Sequence, residues 1–414
     1  MTAESPYFCM LPWTHLYVLP SGDARPCCEW RGPSLGNIKT SSPDRLRNGE
    51  EMLRLRRSML AGIPVDGCSS CYKFESYGSE GSLRKWANKE FAALRPEALR
   101  AGPGALPESL PLRHLMIGFS NACNFRCRTC CAGLSSAWYE DGIRLVEKTL
   151  GKIGGAAARE YYSGLRSISV DGPEFWSAFE AMLPRLDSIH FVGGEPLISR
   201  EHCRVLLRLV EKKMFHVRLL YNTNFSVTAF AGRDFFKLWT RFESVSVFAS
   251  LDAMEERGEY IREGQDWAKI VSNRKRMLRA CPRVRFAVVP TLSILNALHL
   301  PDFHRDWIEK GYVPIQEFLV NNILLSPAHY RARLLPPNIK RRTMEKYAGH
   351  VGYLRNRYGE GARSACRSFE AAIAAVSEDG SPADLEKFKA VTAALDEMRG
   401  RSFARVFPEL TGIF

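Results

Sequence analysis

Short apolar runs alternate with longer amphipathic stretches through the middle of this chain. The apolar runs have the length of buried strands, and six of them predict strands at residues 114–119, 187–192, 216–221, 244–250, 284–292 and 315–320. Helical periodicity predicts helices at residues 135–150, 173–184, 201–213, 267–280 and 301–310. Strands that alternate with helices are typical of a parallel sheet, so the pattern indicates an α/β fold.

The two ends of the chain have different patterns. Residues 1–100 contain short elements and many cysteines, and a Gly- and Pro-rich stretch at 101–111 predicts a linker. Residues 327–414 are mostly helical in pattern. The sequence therefore predicts four parts: a small cysteine-rich α+β domain, the linker, an α/β region at 112–326 and a helical C-terminal extension.

Three cysteines follow the first predicted strand of the α/β region at close spacing. Cys123, Cys127 and Cys130 form a Cys-x3-Cys-x2-Cys motif. Thiolates favour iron–sulfur clusters, zinc or copper(I) over hard ions. Three thiolates can hold three irons of a cubane cluster, which leaves the fourth iron open to a small molecule. From spacing alone, a zinc site completed by a distant ligand, or buried thiols without metal, is an alternative.

A glycine-rich loop follows the second predicted strand, in the order Gly193, Gly194, Glu195 and Pro196. The cysteine motif and this loop together resemble the radical S-adenosylmethionine (SAM) enzymes. The resemblance implies a partial (β/α)6 barrel and a [4Fe-4S] cluster on the three cysteines. It also implies that SAM binds the open iron and that the glycine-rich loop binds the SAM amino group.

The resemblance implies further SAM contacts at later strand ends. The candidates on the ribose side are Asn222, Asn224, Ser250 and Asp252. Arg262 is the candidate for the SAM carboxylate. One position departs from the family, because many members have an aromatic residue before the last cysteine where this chain has Thr129. Phe125 could compensate beside the adenine.

A second set of cysteines lies in the first 100 residues. Cys9, one of the adjacent pair Cys27 and Cys28, and Cys68 with Cys71 supply four thiolates. Four thiolates complete a closed site for structural zinc or for a fully ligated [4Fe-4S] cluster, and the ligand type does not decide between them. Cys27 and Cys28 face opposite sides of a strand by alternation, so only one ligates, and we expect Cys27.

The order of these cysteines, with a glycine turn and Gly36-Asn37-Ile38 between them, resembles the twitch/SPASM auxiliary-cluster module. That module follows the barrel in many radical SAM enzymes, whereas here it precedes the barrel. The shorter twitch version fits better, because no further cysteines are arranged for a second cluster. The resemblance implies an auxiliary [4Fe-4S] cluster on Cys9, Cys27, Cys68 and Cys71.

The implied activity is that of an oxidoreductase. A one-electron reductant such as flavodoxin or ferredoxin reduces the first cluster, SAM is cleaved to a 5′-deoxyadenosyl radical, and the radical abstracts a hydrogen atom. The substrate is then oxidised or cross-linked, with the auxiliary cluster as electron acceptor. We expect a small molecule or a peptide as substrate. The expected substrate contacts are Asn296, Glu317, Asn321 and Asn322.

The alternative within the enzyme class is a redox-neutral epimerisation or carbon-skeleton rearrangement. In that reaction a thiol returns a hydrogen atom to the substrate. Cys131, beside the cluster loop, is the first candidate for this catalytic role. Cys203, Cys281 and Cys366 are expected to act as small buried hydrophobic residues instead.

Composition and the grouping of the cysteines indicate where in the cell the protein is expected to be. The chain is 45% hydrophobic and 25% charged, and no apolar run approaches the roughly 18 residues of a membrane span. No secretory signal is apparent at the N-terminus, and the grouped cysteines indicate metal ligation in a reducing cytosol, so we expect a cytoplasmic protein without membrane partners.

The formal net charge is +13, and residues 331–367 hold ten Lys or Arg against two acidic residues. This segment is either a solvated helical face or a landing surface for an acidic peptide, a phosphorylated substrate or a nucleic acid. It lacks the regular aromatic interleaving that favours base stacking. The alternative from another class of protein is a non-catalytic iron–sulfur or zinc protein that binds nucleic acid through residues 331–367.

Overall fold

The computed structural model describes residues 5–78, 81–166 and 169–414. The strands are β1 (His15–Val18), β2 (Ala24–Arg25), β3 (His114–Gly118), β4 (Ser188–Val192), β5 (Arg218–Thr223), β6 (Ala229–Phe230), β7 (Arg233–Asp234), β8 (Val245–Ala249), β9 (Arg285–Val288), β10 (Thr291–Leu292) and β11 (Asn322–Ile323). The helices are α1 (Leu11–Thr14), α2 (Pro43–Arg47), α3 (Glu50–Leu60), α4 (Ser69–Ser76), α5 (Leu83–Glu90), α6 (Arg95–Ala101), α7 (Tyr139–Arg166), α8 (Pro173–Met182), α9 (Arg200–Glu211), α10 (Phe235–Trp239), α11 (Glu255–Ile261), α12 (Trp267–Ala280), α13 (Leu300–Glu309), α14 (Pro337–Tyr358), α15 (Arg363–Ser377), α16 (Pro382–Arg399) and α17 (Phe403–Val406).

The main sheet has seven strands in the order β2-β1-β3-β4-β5-β8-β9. Only β2 runs antiparallel to its neighbour, and every other pair in this sheet is parallel. The predicted α/β fold with a parallel sheet is confirmed. The carboxyl ends of β3, β4, β5 and β8 therefore meet at one edge, where α/β folds place ligand sites.

The last two predicted strands differ from the structure. Pro290 interrupts the predicted strand 284–292, because proline has no N–H to donate to a ladder, and the run divides into β9 and β10. The predicted strand 315–320 begins as a 3-10 turn, Ile315–Glu317, directly after Pro314, and makes one bridge from Phe318 to Val288. The partner of β10 is β11. The complete (β/α)6 arrangement stays a prediction.

The segment predicted as a linker is fixed to its neighbours. The buried guanidinium of Arg56 donates to the carbonyl oxygen of Gly104 at 3.0 Å, and that of Arg47 donates to Leu110 at 3.0 Å. In addition, β1 pairs in parallel with β3, from His15 opposite His114 to Val18 opposite Ile117. The cysteine-rich part and the α/β region thus share one sheet, and the division of the chain at 101–111 stays a prediction.

The hydrophobic core lies between the sheet and the surrounding helices. Its centre includes fully buried Leu115, Ile117, Ile189 and Leu219 on three neighbouring strands. The C-terminal extension is helical, with α14 packed along α15 and α16 packed against α7. Within the described ranges, no helix is both long and apolar enough to cross a membrane.

Candidate functional site

The three-cysteine loop leaves the carboxyl end of β3 and is bound to the segment after α11. The backbone N–H of Arg126 donates to the carbonyl oxygen of Glu263 at 2.9 Å, and that of Arg128 donates to Ile261 at 2.8 Å. The loop therefore has fixed supports on both sides of Cys127.

The three predicted ligands of this loop lie close enough to affect one another. Burial raises the pKa of the Cys123 thiol to about 12, and the neighbouring Cys127 contributes to the rise. Burial also raises the pKa of Cys130, with further contributions from Cys127, Cys131 and Cys123. Buried thiols of this kind need a strong positive charge before they ionise, and a metal supplies it.

The glycine-rich loop after β4 lies directly against the backbone that precedes Cys123. The N–H of Gly194 donates to Ser120 at 3.1 Å, and the N–H of Glu195 donates to Ala122 at 2.8 Å. A Cβ atom at Gly194 would lie 2.1 Å from the Ala122 oxygen. Glycine is required here because backbone approaches backbone, which brings the ends of β3 and β4 together.

The Glu195 carboxylate joins this loop to the end of β5. It is 2% exposed and accepts hydrogen bonds from the backbone N–H of Leu197 at 3.0 Å, from Thr223 Oγ1 at 2.7 Å and from the N–H of Asn224 at 2.7 Å. Burial raises its pKa to about 7, although the three hydrogen bonds act in the opposite direction. Its predicted contact with the SAM amino group stays a prediction, beside this observed role in joining two strand ends.

Arg262 lies between a carboxylate and one of the predicted cluster ligands. Its Nε is 2.8 Å from Asp252 Oδ2, and its Nη1 is 3.8 Å from Cys127 Sγ. Burial acts to lower the Arg262 pKa, but Asp252 and the cysteine hold it above the ordinary value. The guanidinium is therefore a permanent cation at the predicted cluster.

The four ribose-side candidates differ in accessibility. Asn222 is exposed, and its Oδ1 lies 3.0 Å from His190 Nε2, while Ser250 is partly exposed. Asn224 is buried and donates to Asn124 Oδ1 at 2.8 Å. Asp252 is 1% exposed and accepts from the N–H of Thr291 at 2.7 Å. Asn222 and Ser250 keep surface for a ligand, whereas the other two carry existing contacts, and all four roles stay predictions.

A small cavity of about 20 Å³ lies among the N-terminal cysteines. The cysteines that line it are Cys9, Cys27, Cys68 and Cys71. Cys28 is not part of this lining, and its neighbours include Glu29 and Tyr17. The lining favours Cys27 as the ligand of the adjacent pair, and this assignment stays a prediction. The expected strand alternation does not apply, because β2 ends at Arg25 and neither cysteine lies on a strand.

Burial raises the pKa of every thiol in this cavity. The pKa of Cys68 rises to about 11 and that of Cys71 to about 12. In the part of the chain that the structure describes, no three Cys, His, Asp or Glu side chains converge on a single ion. The thiolates of a cubane cluster each bind a different iron, so they surround a volume instead of a point.

A polar cavity of about 190 Å³ lies next to both cysteine sites. It is lined by Thr129 of the three-cysteine loop, by Glu29 and Arg31 just after Cys28, and by Asn322 of β11. Glu29 and Arg31 were not singled out from the sequence. Their only sequence signal is that they directly follow the cysteine pair.

Of the four expected substrate contacts, Asn322 lines this cavity. Asn296 is fully buried, and its Nδ2 donates to the carbonyl oxygens of Asp252 and Thr291, both at 3.0 Å, so in this structure it supports a strand end, and its substrate role stays a prediction. Glu317 lies 2.7 Å from Arg285 Nε, and neither Glu317 nor Asn321 lines the cavity.

The remaining thiols and the basic segment have ordinary surroundings. Cys131 is exposed. Among the other thiols that belong to neither predicted cluster site, Cys203, Cys281 and Cys366 are buried. Several cations of residues 331–367 have ion-pair partners, including Arg333 with Glu378 and Arg355 with Glu370.

The N-terminal part matches a known family. Residues 9–72 match SPASM, described as an iron–sulfur cluster-binding domain. The match includes Cys9, Cys27, Cys68 and Cys71, so the predicted auxiliary module is confirmed as an iron–sulfur domain. In this chain the SPASM domain precedes the α/β region and supplies β1 and β2 to its sheet.

No curated protein sequence matches the chain. Among solved structures, it is similar to anSMEcpe with bound AdoMet and Cp18Cys peptide, at 16% identity over 59% of this chain and 61% of that chain, with a TM-score of 0.35. It is also similar to Streptococcus suis SuiB bound to S-adenosylmethionine, at 17% identity over 74% and 62% of the two chains, with a TM-score of 0.34. The match to SuiB bound to precursor peptide SuiA has 14% identity, covers 66% and 52%, and has a TM-score of 0.32. The chain thus spans less than two thirds of the length of these structures.

Proposed function

We propose that this chain is a radical SAM enzyme that oxidises or cross-links a peptide or a small molecule. One observation carries the proposal: the glycine-rich loop is hydrogen-bonded to the backbone just before Cys123, while Arg262 lies beside Cys127. The ends of β3 and β4 and the end of α11 thus bring a three-thiol loop, a glycine-rich loop and a largely buried cation together at one edge of the parallel sheet.

The residues fit the two groups that the proposal requires. Cys123, Cys127 and Cys130 would hold a [4Fe-4S] cluster with an open iron, and the SPASM cysteines would hold a fully ligated one. When bound and reduced, the first cluster supplies an electron that cleaves SAM into methionine and a 5′-deoxyadenosyl radical, which takes a hydrogen atom from the substrate.

The side chains around the loop would bind and orient SAM. Arg262 would pair with the SAM carboxylate, and Asp252 holds the guanidinium in place. Gly194 lets the loop backbone approach closely, so that its polar groups could face the SAM amino group. Asn222 and Ser250 keep the accessible surface that a ribose contact needs.

The polar cavity would receive the substrate. It has a volume of about 190 Å³, and one of its lining residues, Thr129, belongs to the three-cysteine loop. Glu29 and Arg31 present opposite charges, with Arg31 Nη2 3.8 Å from Glu29 Oε2. Such a pair suits a polar group of a peptide.

Anaerobic reconstitution tests the proposal. The protein is loaded with iron and sulfide, reduced with dithionite and incubated with SAM, and 5′-deoxyadenosine is measured by mass spectrometry. We expect 5′-deoxyadenosine from the wild type and none from Cys127→Ala. Cys131→Ser is the matched control, since this neighbouring thiol is exposed and not needed for SAM cleavage.

Two results would contradict the proposal. The first is a reconstituted wild type that forms no 5′-deoxyadenosine. The second is unchanged formation in Cys127→Ala. Stoichiometric zinc in place of iron at both cysteine sites would favour the non-catalytic alternative.

A further inference from the structure

We infer that the end of α16, in the C-terminal extension, positions the three-cysteine loop, with Asp396 as its central residue. The inference rests on the proposed function for the role of that loop. Asp396 is 268 residues from Arg128 in the sequence, yet the two side chains form an ion pair. Among the described residues, the polar contacts of Asp396 include no cysteine, and it lines neither of the two cavities beside the cysteine sites, so it is a positioning residue.

The Asp396 carboxylate accepts hydrogen bonds from three separate segments. Besides Arg128 of the three-cysteine loop, Tyr260 Oη donates to Oδ1 at 2.7 Å, and the backbone N–H of Phe403 donates to Oδ2 at 2.5 Å. One carboxylate therefore joins the loop, the end of α11 and the chain after α16.

Arg128 is the group on the loop that this carboxylate holds. It stands between Cys127 and Cys130 in the sequence, and its side chain is fully buried. Its Nε donates to the Tyr260 carbonyl oxygen at 3.1 Å, and its guanidinium carbon lies 3.6 Å from the centre of the Tyr260 ring. Without Asp396 this buried cation would lose its only carboxylate contact in the described part of the chain, which is unfavourable for the local structure.

Two arginines that follow Asp396 reach the same loop by other routes. Arg399 Nε donates to Asp141 Oδ2 at 2.9 Å, and Asp141 also accepts from Arg126 of the loop at 3.0 Å. Arg401 pairs with the Glu263 carboxylate at 2.9 Å, and the carbonyl oxygen of Glu263 accepts from the backbone of Arg126.

Apolar packing adds a third route. Leu395 of α16 is fully buried in a cluster with Ala132, Trp138 and Tyr139, and Cys130 packs against this cluster. The indole Nε1–H of Trp138 donates to the carbonyl oxygen of Cys127 at 2.7 Å. Leu395, at the end of α16, thus packs against residues that contact Cys127 and Cys130, two of the three expected cluster ligands.

The substitution Asp396→Asn tests the inference, with Glu397→Gln as the matched control. Glu397 is the next residue of the helix, its side chain is 72% exposed, and it pairs only with Lys148 among the described ion pairs. Both substitutions remove one negative charge from the same turn. Iron per chain, 5′-deoxyadenosine formation and the electron paramagnetic resonance signal of the reduced protein are measured after reconstitution.

We expect Asp396→Asn to lose about half of its iron, because the SPASM cluster stays, and to form 5′-deoxyadenosine roughly 10- to 100-fold more slowly, the usual effect of removing the support of a metal ligand. Asp396→Glu should recover part of both, and Glu397→Gln should match the wild type. A general folding defect would instead remove iron from both cysteine sites and reduce the helical circular dichroism.

Wild-type iron content and cleavage rate in Asp396→Asn would overturn the inference. If that variant does not fold, Arg401→Gln provides the test. Arg401 is partly exposed, so its substitution should be tolerated by the fold, and its ion pair with Glu263 supports the same loop. A selective loss of iron from the three-cysteine loop in Arg401→Gln supports the inference, and full iron content overturns it. Iron content is independent of SAM cleavage, so failure of the proposed function would appear separately, as a wild type with two clusters and no 5′-deoxyadenosine.

Discussion

The guanidinium of Arg262 lies 3.8 Å from the sulfur of Cys127 and 2.8 Å from the carboxylate of Asp252. The Arg262 side chain is 12% exposed, and the Asp252 side chain is 1% exposed. A charge pair of this kind is sensitive to the loss of either partner, because the remaining charge is left buried without compensation.

The first prediction follows from that pair. Arg262→Gln should lower the free energy of unfolding by about 3–5 kcal/mol, because Asp252 is left uncompensated. The double variant Arg262→Gln, Asp252→Asn should recover part of this loss. Urea denaturation of the apo proteins measures both. Equal stability of the single and double variants would show that the two charges are not coupled.

Arg262 also has a predicted ligand role that can be measured separately. SAM titration of the reconstituted double variant should show weaker binding than wild type, since the guanidinium that would pair with the SAM carboxylate is absent. Arg285→Gln is the control, because Arg285 forms an exposed ion pair with Glu317. Wild-type SAM affinity in the double variant would remove Arg262 from the SAM site.

The second prediction concerns the pH dependence that Glu195 confers on stability. Its folded-state pKa of about 7 lies above the ordinary value of 4.5. Between pH 4.5 and pH 7 the folded protein keeps a proton on Glu195 that the unfolded chain has released. The contribution of this proton to the free energy of unfolding is therefore complete below pH 4.5 and is lost as the pH rises to 7. One pKa unit corresponds to about 1.4 kcal/mol, so the total is on the order of 3 kcal/mol.

Glu195→Gln should remove this component. Chemical denaturation from pH 4.5 to 7.5 should show that wild-type stability declines more steeply than that of the variant, whatever their absolute difference. Parallel pH profiles for the two proteins would contradict a raised pKa at Glu195.

The third prediction separates Cys27 from Cys28 in the SPASM domain. Cys27 lines the cavity with Cys9, Cys68 and Cys71, and Cys28 does not. Cys27→Ala should therefore lose the auxiliary cluster, and Cys28→Ala should keep it. Iron analysis with Mössbauer spectroscopy, in a background where Cys123, Cys127 and Cys130 are alanine, should give about four irons per chain for Cys28→Ala. The reverse result would assign Cys28 as the ligand.

A related result is expected for the activity. A protein that lacks Cys68 and Cys71 should still cleave SAM but should not complete an oxidative product, because its electron acceptor is missing. Product formation at the wild-type rate would favour the redox-neutral alternative, and Cys131→Ser would then be the variant to compare.

The fourth prediction concerns Gly194. A Cβ atom there would lie 2.1 Å from the carbonyl oxygen of Ala122, so Gly194→Ala must separate the two loops. We expect a loss of a few kcal/mol in stability and a strong loss of SAM cleavage. Gly349→Ala is the control, because Gly349 is exposed within α14 with open space around it, and alanine there should stabilise the helix by up to about 1 kcal/mol. Equal behaviour of the two variants would contradict the close approach.

Local sequence patterns were sufficient to predict several features of this protein. Period and length indicated the strands that became β3, β4, β5 and β8, and the spacing of the cysteines indicated both sulfur-rich sites. The family match confirmed one of them as an iron–sulfur domain. These features could be predicted because neighbouring residues determine them: a strand needs a continuous apolar run, and a cluster loop needs thiols at short spacing.

Other features depend on residues that are far apart in the chain. The contact between Arg128 and Asp396, the polar cavity beside Thr129 and the pairing of β1 with β3 have no local signal. Asn296 looked like a substrate contact because polar residues at strand ends often bind ligands, but the packing of β10 buried it completely. The sequence by itself determined the spacing of the cysteines and the order of the elements. Only tertiary packing decided which polar groups reach a ligand and which hold the loops, because a side chain's partners are set by the segments that fold against it.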